Sequence, residues 1–376
     1  MQWLLVASLF VAASLVGPTE RGHDVRSDQE ATRPSFTEWL AGVRTEALSR
    51  GIRQEILDEA LADIVEPMPV ILERDRSQAE IVLPLERYID RLLTAKRIRT
   101  GRETYARNRA LLDEVGAQYG VPASIIAGVW GVESQFGQFS GVRPTVAALA
   151  TLAWDPRRAT FFRAELFDAL EILNRGDIEL AQMKGSWAGA MGQAQFMPSS
   201  YLRFAEDFDH DGRRDIWSTP ADIFASIANY LKGHGWTAGQ SWGREVVVPA
   251  EAASRVRSEV GRRDGTCRAM RDMTVALPLK RWAELGVRLR GGKRLPTSST
   301  STVSEEASLV SGATRTFLVY KNYDALLEYN CAHSYAISVA LLSDAIASTA
   351  PVKATASNAK AGKASAARKA RARKKA

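Results

Sequence analysis

The most informative stretch of this sequence is GVWGVESQFG, residues 128–137. Its carboxylate, Glu133, falls on the same helical face as apolar residues three or four positions apart: Ile125, Ile126, Val129 and Trp130. A carboxyl group on such a face must be paired or must hold its proton above the usual pKa, because desolvation disfavours the anion. A carboxylic acid that stays protonated near neutral pH is what acid-catalysed cleavage of a glycosidic bond requires. The alternative is a half-exposed Glu in a salt bridge at a helix C-terminus.

The N-terminus has the composition of an export signal. Residues 1–16 are apolar apart from one Gln and two Ser, and Gly17-Pro18 and a charged stretch follow. This pattern predicts a signal peptide over residues 1–20, and an uncleaved N-terminal anchor is the alternative. No Cys follows the apolar run, so the sequence does not support a lipid anchor. We therefore expect an exported protein.

Most of the positive charge lies at the other end of the chain. The net charge of +7 includes nine Lys or Arg after Pro351 with no Asp or Glu, so the rest of the 376 residues carries −2. Residues 351–376 lack large apolar side chains, which predicts a disordered basic tail. Such a tail either contacts an anionic envelope surface or is solvated without a partner. The body of the chain lacks basic clusters interleaved with aromatics, so we expect no nucleic-acid partner.

The hydrophobic pattern predicts an α+β, mainly α, protein. Ser35 and Glu38 form a capping box that begins the first helix. The proline-broken residues 65–82 are expected to be extended. Short strands are expected at Val246–Val248, at Val256, from Val275 to Pro278 and from Phe317 to Tyr320. The predicted parts are a helical segment 34–80, a core 81–243, a small β-rich domain 244–319 and a closing helical part 320–350.

A second motif, GSWAGAMGQAQFMPSSY at residues 185–201, is rich in small residues. Small residues let a backbone approach a ligand or a neighbouring chain closely. Ser186 and Gln195 add polar side chains, and Pro198 is placed to begin a helix. A tight helix-packing loop would have the same composition.

A third motif, DFDHDGRRDIW at residues 207–217, has the carboxylate spacing of a calcium loop. Asp207, Asp209 and Asp211 occupy positions one, three and five, and Arg213 would contribute its backbone carbonyl. Position twelve is Ser instead of Glu, and Asp222 is the candidate for the closing carboxylate. A metal-free Asp-rich turn is the alternative.

Two further sets of residues carry weaker signals. Tyr329, Asn330 and Tyr335 can stack on a sugar and hydrogen-bond to it, although partly buried aromatics are common. Cys267 and Cys331 are the only cysteines, and they can pair if the chain reaches an oxidising compartment. The sequence does not show that the two are close, and no His or Cys spacing supports zinc.

The motifs GVESQFG, GSWAGAMGQAQFMPSSY, DxDxDGxxDIW, ANYLKGHGW and YNxxxSYA occur in this order between residues 34 and 347. In this combination the chain resembles the membrane-bound lytic murein transglycosylase B family, whose catalytic core resembles goose-type lysozyme. The resemblance implies that Glu133 is the sole catalytic acid/base and that Ser186 helps to position it or the substrate. It places further residues in the sugar-binding groove: Gln195, Tyr88, Tyr230, Tyr329, Asn330 and Tyr335. It also implies a structural Ca²⁺ in an EF-hand-like loop, residues 207–222.

The activity implied by this resemblance is cleavage of the β-1,4 bond between N-acetylmuramic acid and N-acetylglucosamine in peptidoglycan, with 1,6-anhydromuramyl ends. No cofactor is expected for catalysis, and we expect a periplasmic monomer whose partner is the glycan strand. The alternatives are a lysozyme-type muramidase, which hydrolyses the same bond, and a non-catalytic cell-wall-binding scaffold. Calcium could also be regulatory instead of structural.

Overall fold

The structure is a computed structural model that describes residues 34–78, 83–296 and 306–349. The predicted signal segment, residues 1–20, and the basic tail, residues 351–376, lie outside the described residues. No helix among the described residues is both long and apolar enough to cross a membrane. The helices of the described residues, α1 to α16, are Phe36–Ser49, Gln54–Leu61, Pro69–Gln78, Leu85–Leu92, Ala95–Arg107, Arg109–Tyr119, Ala123–Ser134, Thr145–Trp154, Ala159–Arg175, Pro198–Phe204, Pro220–Gly233, Ala250–Glu259, Arg268–Asp272, Leu279–Glu284, Asn322–Tyr329 and His333–Ala347.

The strands of the described residues, β1 to β7, are Arg143–Pro144, Lys184–Gly185, Gly243–Val247, Leu277–Pro278, Arg288–Leu289, Glu306–Ser311 and Thr316–Val319. They form two antiparallel sheets. One is the short pair β1-β2, and the other has five strands in the order β4-β6-β7-β3-β5. Val246 of β3 pairs with Thr316 of β7 and with Leu289 of β5, which fixes the register of the larger sheet.

The chain divides into two compact units. Among the described residues, the first unit contains 34–78 and 137–229, and the second contains 83–136, 230–296 and 306–349. The predicted core, residues 81–243, is therefore shared between the two units. The fold is mainly α with a small antiparallel sheet, as the sequence predicts.

The first unit is built around helices α8 and α9, which pack against each other. Helices α1, α2 and α3 also pack on α8. The predicted capping box at Ser35 is present, with the hydroxyl accepting from the Glu38 amide. The prediction that residues 65–82 are extended is wrong for Pro69–Gln78, which is α3. Pro69 begins that helix, where a proline is tolerated because the first turn needs no amide donor.

The second unit joins a helical part to the larger sheet. Helix α7 packs closely on α16, because Gly128 leaves room that a Cβ would fill at 3.0 Å from the Val339 carbonyl oxygen. The sheet buries an apolar cluster around Trp282 of α14 and Val256 of α12. The indole Nε1 of Trp282 donates to the Ala307 carbonyl oxygen at 2.8 Å. The strand predicted at Val256 is wrong, since Val256 lies in α12 and packs in this cluster from a helix.

Two links connect the β-rich part to the helices that follow it. Cys267 and Cys331 form a disulfide with a Cα–Cα distance of 6.3 Å. The Arg263 guanidinium makes two hydrogen bonds to the Asp324 carboxylate, at 2.7 and 2.9 Å. The disulfide ends at Cys331, in the connection between α15 and α16, and the ion pair ends at Asp324, in the first turn of α15.

Candidate active site

Glu133 lies in the last turn of α7, a helix that is buried along most of its length. The helix ends at once because Gln135 and Phe136 adopt left-handed backbone angles, with φ of 54° and 60°. This reversal places the Phe136 ring 5.8 Å from the Trp130 ring, centroid to centroid. Only glycine fits at residue 131, since a Cβ there would lie 2.4 Å from the Phe136 ring. Left-handed non-glycine residues are often found at functional sites.

The Glu133 carboxyl group is half-buried, and burial raises its pKa from 4.5 to about 8. The buried Tyr335 hydroxyl offsets part of this rise, although it does not meet full hydrogen-bond geometry. Among the described residues, no Lys, Arg or His lies within ion-pair distance of this carboxyl group. Glu133 is therefore a protonated acid at neutral pH, and burial is what keeps the proton on it.

Three tyrosines surround Glu133 closely enough to interact electrostatically with it: Tyr88, Tyr329 and Tyr335. Their pKa values are raised first by burial and then by the negative charge that Glu133 carries when ionised. The Tyr329 and Tyr335 rings stack with centroids 6.3 Å apart. All three phenols therefore stay protonated at neutral pH and can donate hydrogen bonds.

Tyr230 extends this aromatic group. Its ring centroid is 4.6 Å from that of Tyr329, and its hydroxyl donates to the Glu328 carbonyl oxygen at 2.8 Å. Asn330 ends α15, is 7% exposed, and accepts a backbone hydrogen bond from Ala332 at 2.7 Å. The second unit thus brings together Glu133 and the sequence-predicted residues Tyr88, Tyr230, Tyr329 and Tyr335, with Asn330 next in the chain to Tyr329.

Ser186 and Gln195 belong to the first unit, in the glycine-rich segment. The Ser186 hydroxyl is buried and accepts from the amides of Ala188 and Ala190, at 3.3 and 3.1 Å. The Gln195 side-chain amide donates to the carbonyl oxygens of Ser140 and Gly192. Both side chains therefore form hydrogen bonds within this part of the chain, and their role in binding a ligand stays a prediction.

The Asp-rich loop also belongs to the first unit. Carboxylate oxygens of Asp207, Asp209 and Asp211 lie within 4.8 Å of one another. Gly212 has φ of 89°, the left-handed backbone that a sharp loop turn requires. Three carboxylates this close repel one another unless a cation neutralises them, so the set fits an oxygen-preferring ion such as Ca²⁺.

Asp222 closes this loop through the backbone. It is fully buried, and its two carboxylate oxygens accept from the amides of Phe208 and Asp215, each at 2.8 Å. Burial raises its pKa to about 6, and the nearby charges of Asp209 and Asp207 add to the rise. Asp222 lies outside the three-carboxylate group, so its role as a direct ligand stays a prediction. The same holds for the backbone carbonyl of Arg213.

Two further residues of this unit were not singled out by the sequence analysis. Phe136 follows Glu133 by three residues and is fixed by its left-handed backbone. Arg97 lies near the Tyr88 phenol and interacts electrostatically with it. The capping Thr94 marks the start of Arg97's helix, but nothing in the spacing shows that this helix approaches Glu133.

The mainly α fold thus places a half-buried acid, Glu133, among buried phenols in the second unit. The chain matches the Transglycosylase SLT domain family over residues 35–344, and it belongs to this family.

Known relatives agree with this assignment. The chain is 40% identical over 154 residues to membrane-bound lytic murein transglycosylase B of Escherichia coli, a stretch covering 41% of this chain and 42% of that protein. The matched stretch therefore spans less than half of that relative's length. SltB3 from Pseudomonas aeruginosa, in complex with NAG-NAM-pentapeptide, is 39% identical, with a TM-score of 0.74 over 83% of this chain and 79% of that one. Escherichia coli SLT35, in complex with calcium, is 27% identical, with a TM-score of 0.66 over 84% and 94%.

Proposed function

We propose that this protein is a peptidoglycan lytic transglycosylase that cleaves the β-1,4 bond between N-acetylmuramic acid and N-acetylglucosamine and leaves 1,6-anhydromuramyl ends. The observation that carries the proposal is the half-buried Glu133, whose pKa of about 8 keeps it protonated at neutral pH. Membership of the Transglycosylase SLT domain family and the murein relatives support it.

The proposed mechanism uses one carboxyl group twice. Glu133 donates its proton to the leaving glycosidic oxygen, and the bond to the anomeric carbon of the muramyl sugar breaks. The acetamido carbonyl of that sugar stabilises the positive charge that develops. The Glu133 carboxylate then takes the proton of the muramyl 6-hydroxyl, whose oxygen attacks the anomeric carbon. Glu133 is protonated again at the end, and no water is consumed.

The surroundings of Glu133 favour a single-acid mechanism. Two-carboxylate glycosidases place the second group about 5–9.5 Å away, where it would act electrostatically on the first. Burial and the Tyr335 hydroxyl are the influences on the pKa of Glu133, and no Asp or Glu of the described residues is among them. The buried tyrosines around it are proposed to hydrogen-bond the sugars. The binding roles of Ser186, Gln195 and Asn330 stay predictions.

Product analysis tests the proposal. Purified peptidoglycan is digested with the wild type and with Glu133→Gln, and the masses of the muropeptides are measured by mass spectrometry. We expect products one water lighter than the hydrolytic ones from the wild type, and none from the variant. Reducing ends instead would identify a lysozyme-type hydrolase. Unchanged activity of Glu133→Gln would remove Glu133 from the active site.

We further propose that the Asp-rich loop holds Ca²⁺ as a structural ion, and that the protein acts as a monomer in the periplasm after export. The carboxylate group in the loop and the calcium complex of SLT35 support the first point. The basic tail, residues 351–376, is proposed to contact an anionic envelope surface, since it carries nine cations and no anion.

A further inference from the structure

One face of helix α5 lies against the chain segment that leaves Glu133. Gly101 is on this face, and a Cβ there would be 2.8 Å from the Phe136 ring. Arg97 precedes Gly101 by four residues, so the two lie one turn apart on the same side of the helix. The Thr94 hydroxyl accepts from the Arg97 amide at 3.2 Å, which fixes Arg97 in the first turn. Arg97 is thus held in the first turn of the helix that packs against the segment after Glu133.

The Arg97 guanidinium is half-buried but has no anion. Among the described residues, no carboxylate lies within ion-pair distance of it, and no side-chain hydrogen bond of Arg97 occurs. Two other half-buried arginines of this unit, Arg263 and Arg315, are paired with Asp324 and Glu245. Arg288 is also half-buried, and it donates to the carbonyl oxygens of Ala283 and Val287. A half-buried cation without a partner is costly, and an arginine stays charged at any physiological pH.

The position of Arg97 relative to the acid is also informative. Burial lowers the pKa of Arg97, and the Tyr88 phenol is the group that acts in the opposite direction. Tyr88 in turn interacts electrostatically with Glu133. Arg97 is not among the groups that lower the pKa of Glu133, so it leaves the acid protonated. The guanidinium therefore lies near Tyr88, one of the phenols around Glu133, without acting on the acid itself.

We propose that Arg97 is a specificity-determining residue that binds a carboxylate attached to the muramyl sugar of the substrate. This inference rests on the proposed function. The sugar rings and acetamido groups of the glycan are neutral, so the anions of a strand are carried by its lactyl ether. These are the lactyl carboxylate itself on peptide-free strands, or the carboxylates of the stem peptide. A guanidinium matches a carboxylate with two parallel hydrogen bonds.

The test compares kcat/KM on four uncrosslinked substrates: peptide-bearing strands and peptide-free strands, each with its carboxylates free or converted to amides. For one of the two strand types, we expect the wild-type kcat/KM to be about 10- to 100-fold higher on the carboxylate form than on the amidated form, which is the range for hydrogen bonds to a charged group. Arg97→Gln should abolish this preference and leave the rate on amidated strands unchanged. Arg97→Lys should keep part of it.

Arg99→Gln is the matched control, because Arg99 is exposed and two residues along the same helix. It should keep the wild-type preference. The strand type on which the wild type shows the larger preference for the carboxylate form identifies the source of the carboxylate. An equal loss by Arg97→Gln on carboxylate and amidated strands would overturn the proposal and make Arg97 a positioning residue for Tyr88.

The wild type alone also tests the inference, which covers the case of a variant that does not fold. Equal kcat/KM on carboxylate and amidated strands overturns it. Failure of the proposed function looks different, since the wild type would then produce no anhydro ends from any strand.

Discussion

Replacing Glu133 with Gln is expected to stabilise the protein, by an amount that grows with pH. In the unfolded chain the carboxyl group ionises near 4.5, whereas in the folded protein burial raises the pKa to about 8. A folded-state pKa above the unfolded value means that the folded state holds the proton longer. Its stability therefore falls as pH rises from 4.5 to 8. Glutamine carries no such proton and loses no stability over this range.

The size of the effect follows from the two pKa values. The penalty for Glu133 is about 1 kcal/mol at pH 5, about 3 kcal/mol at pH 7 and about 5 kcal/mol above pH 8. These values are upper limits for the gain of Glu133→Gln. The variant should also be inactive as a transglycosylase, because Gln cannot donate and recover a proton.

The assay is urea unfolding followed by tryptophan fluorescence at pH 5, 6, 7 and 8. Glu103→Gln is a matched control, because Glu103 is an exposed residue of the same unit. Its unfolding curves should overlay those of the wild type at each pH. A Glu133→Gln stability gain that is the same at every pH, or a loss at pH 7, would refute a buried protonated acid.

The remaining predictions concern packing, the disulfide and the metal. Gly131→Ala should destabilise the protein by about 1–3 kcal/mol, since its Cβ would meet the Phe136 ring at 2.4 Å. Gly42→Ala, with open space around the new Cβ, should stabilise α1 by about 0.5–1 kcal/mol. Urea unfolding midpoints compare the two variants, and an equal change in both midpoints would contradict the packing argument. Cys267→Ser should cost about 2–5 kcal/mol, because the disulfide closes a loop of 64 residues, and a reductant should then lower the melting temperature of the wild type but not of the variant. Adding Ca²⁺ should raise the melting temperature of the wild type and not that of Asp209→Asn, while chelation leaves activity at 25 °C unchanged; a large activity loss without a fall in melting temperature would favour a regulatory ion.

The sequence predicts the environment of Glu133 because the environment is local. The apolar residues one turn before it, such as Val129 and Trp130, are on its own helix, so spacing alone indicates burial. The tyrosines around the acid come from distant segments of the chain: Tyr88 from α4, and Tyr329 and Tyr335 from α15 and α16. Spacing does not bring these segments together, and only the resemblance to a known family did so.

Secondary structure could be predicted where one rule dominated and was missed where two competed. The capping box at Ser35 is a purely local signal, and it is present. At Pro69 the proline was interpreted as a helix breaker, but it occupies the first helical position, where it is favoured. Val256 has a β-branched side chain, yet burial against the Trp282 cluster from a helix outweighs its strand propensity.

Arg97 shows why one candidate residue could not be found from sequence. Its significance is the missing anionic partner, which depends on every residue that packs near it. A lone Arg in the first turn of a helix predicts only a solvated cation. The approach of Gly101 to Phe136 is what packs this helix against the segment that follows Glu133.

The central claim is that Glu133 is protonated at neutral pH, and the most direct measurement is its own titration. The protein is labelled with carboxyl-¹³C glutamate, and the signal absent from Glu133→Gln is followed by NMR from pH 4 to 10. We predict a midpoint near the pKa of about 8 that burial imposes. A midpoint close to 4.5 would show an ionised carboxylate at neutral pH and would contradict the proposed role of Glu133 as the proton donor.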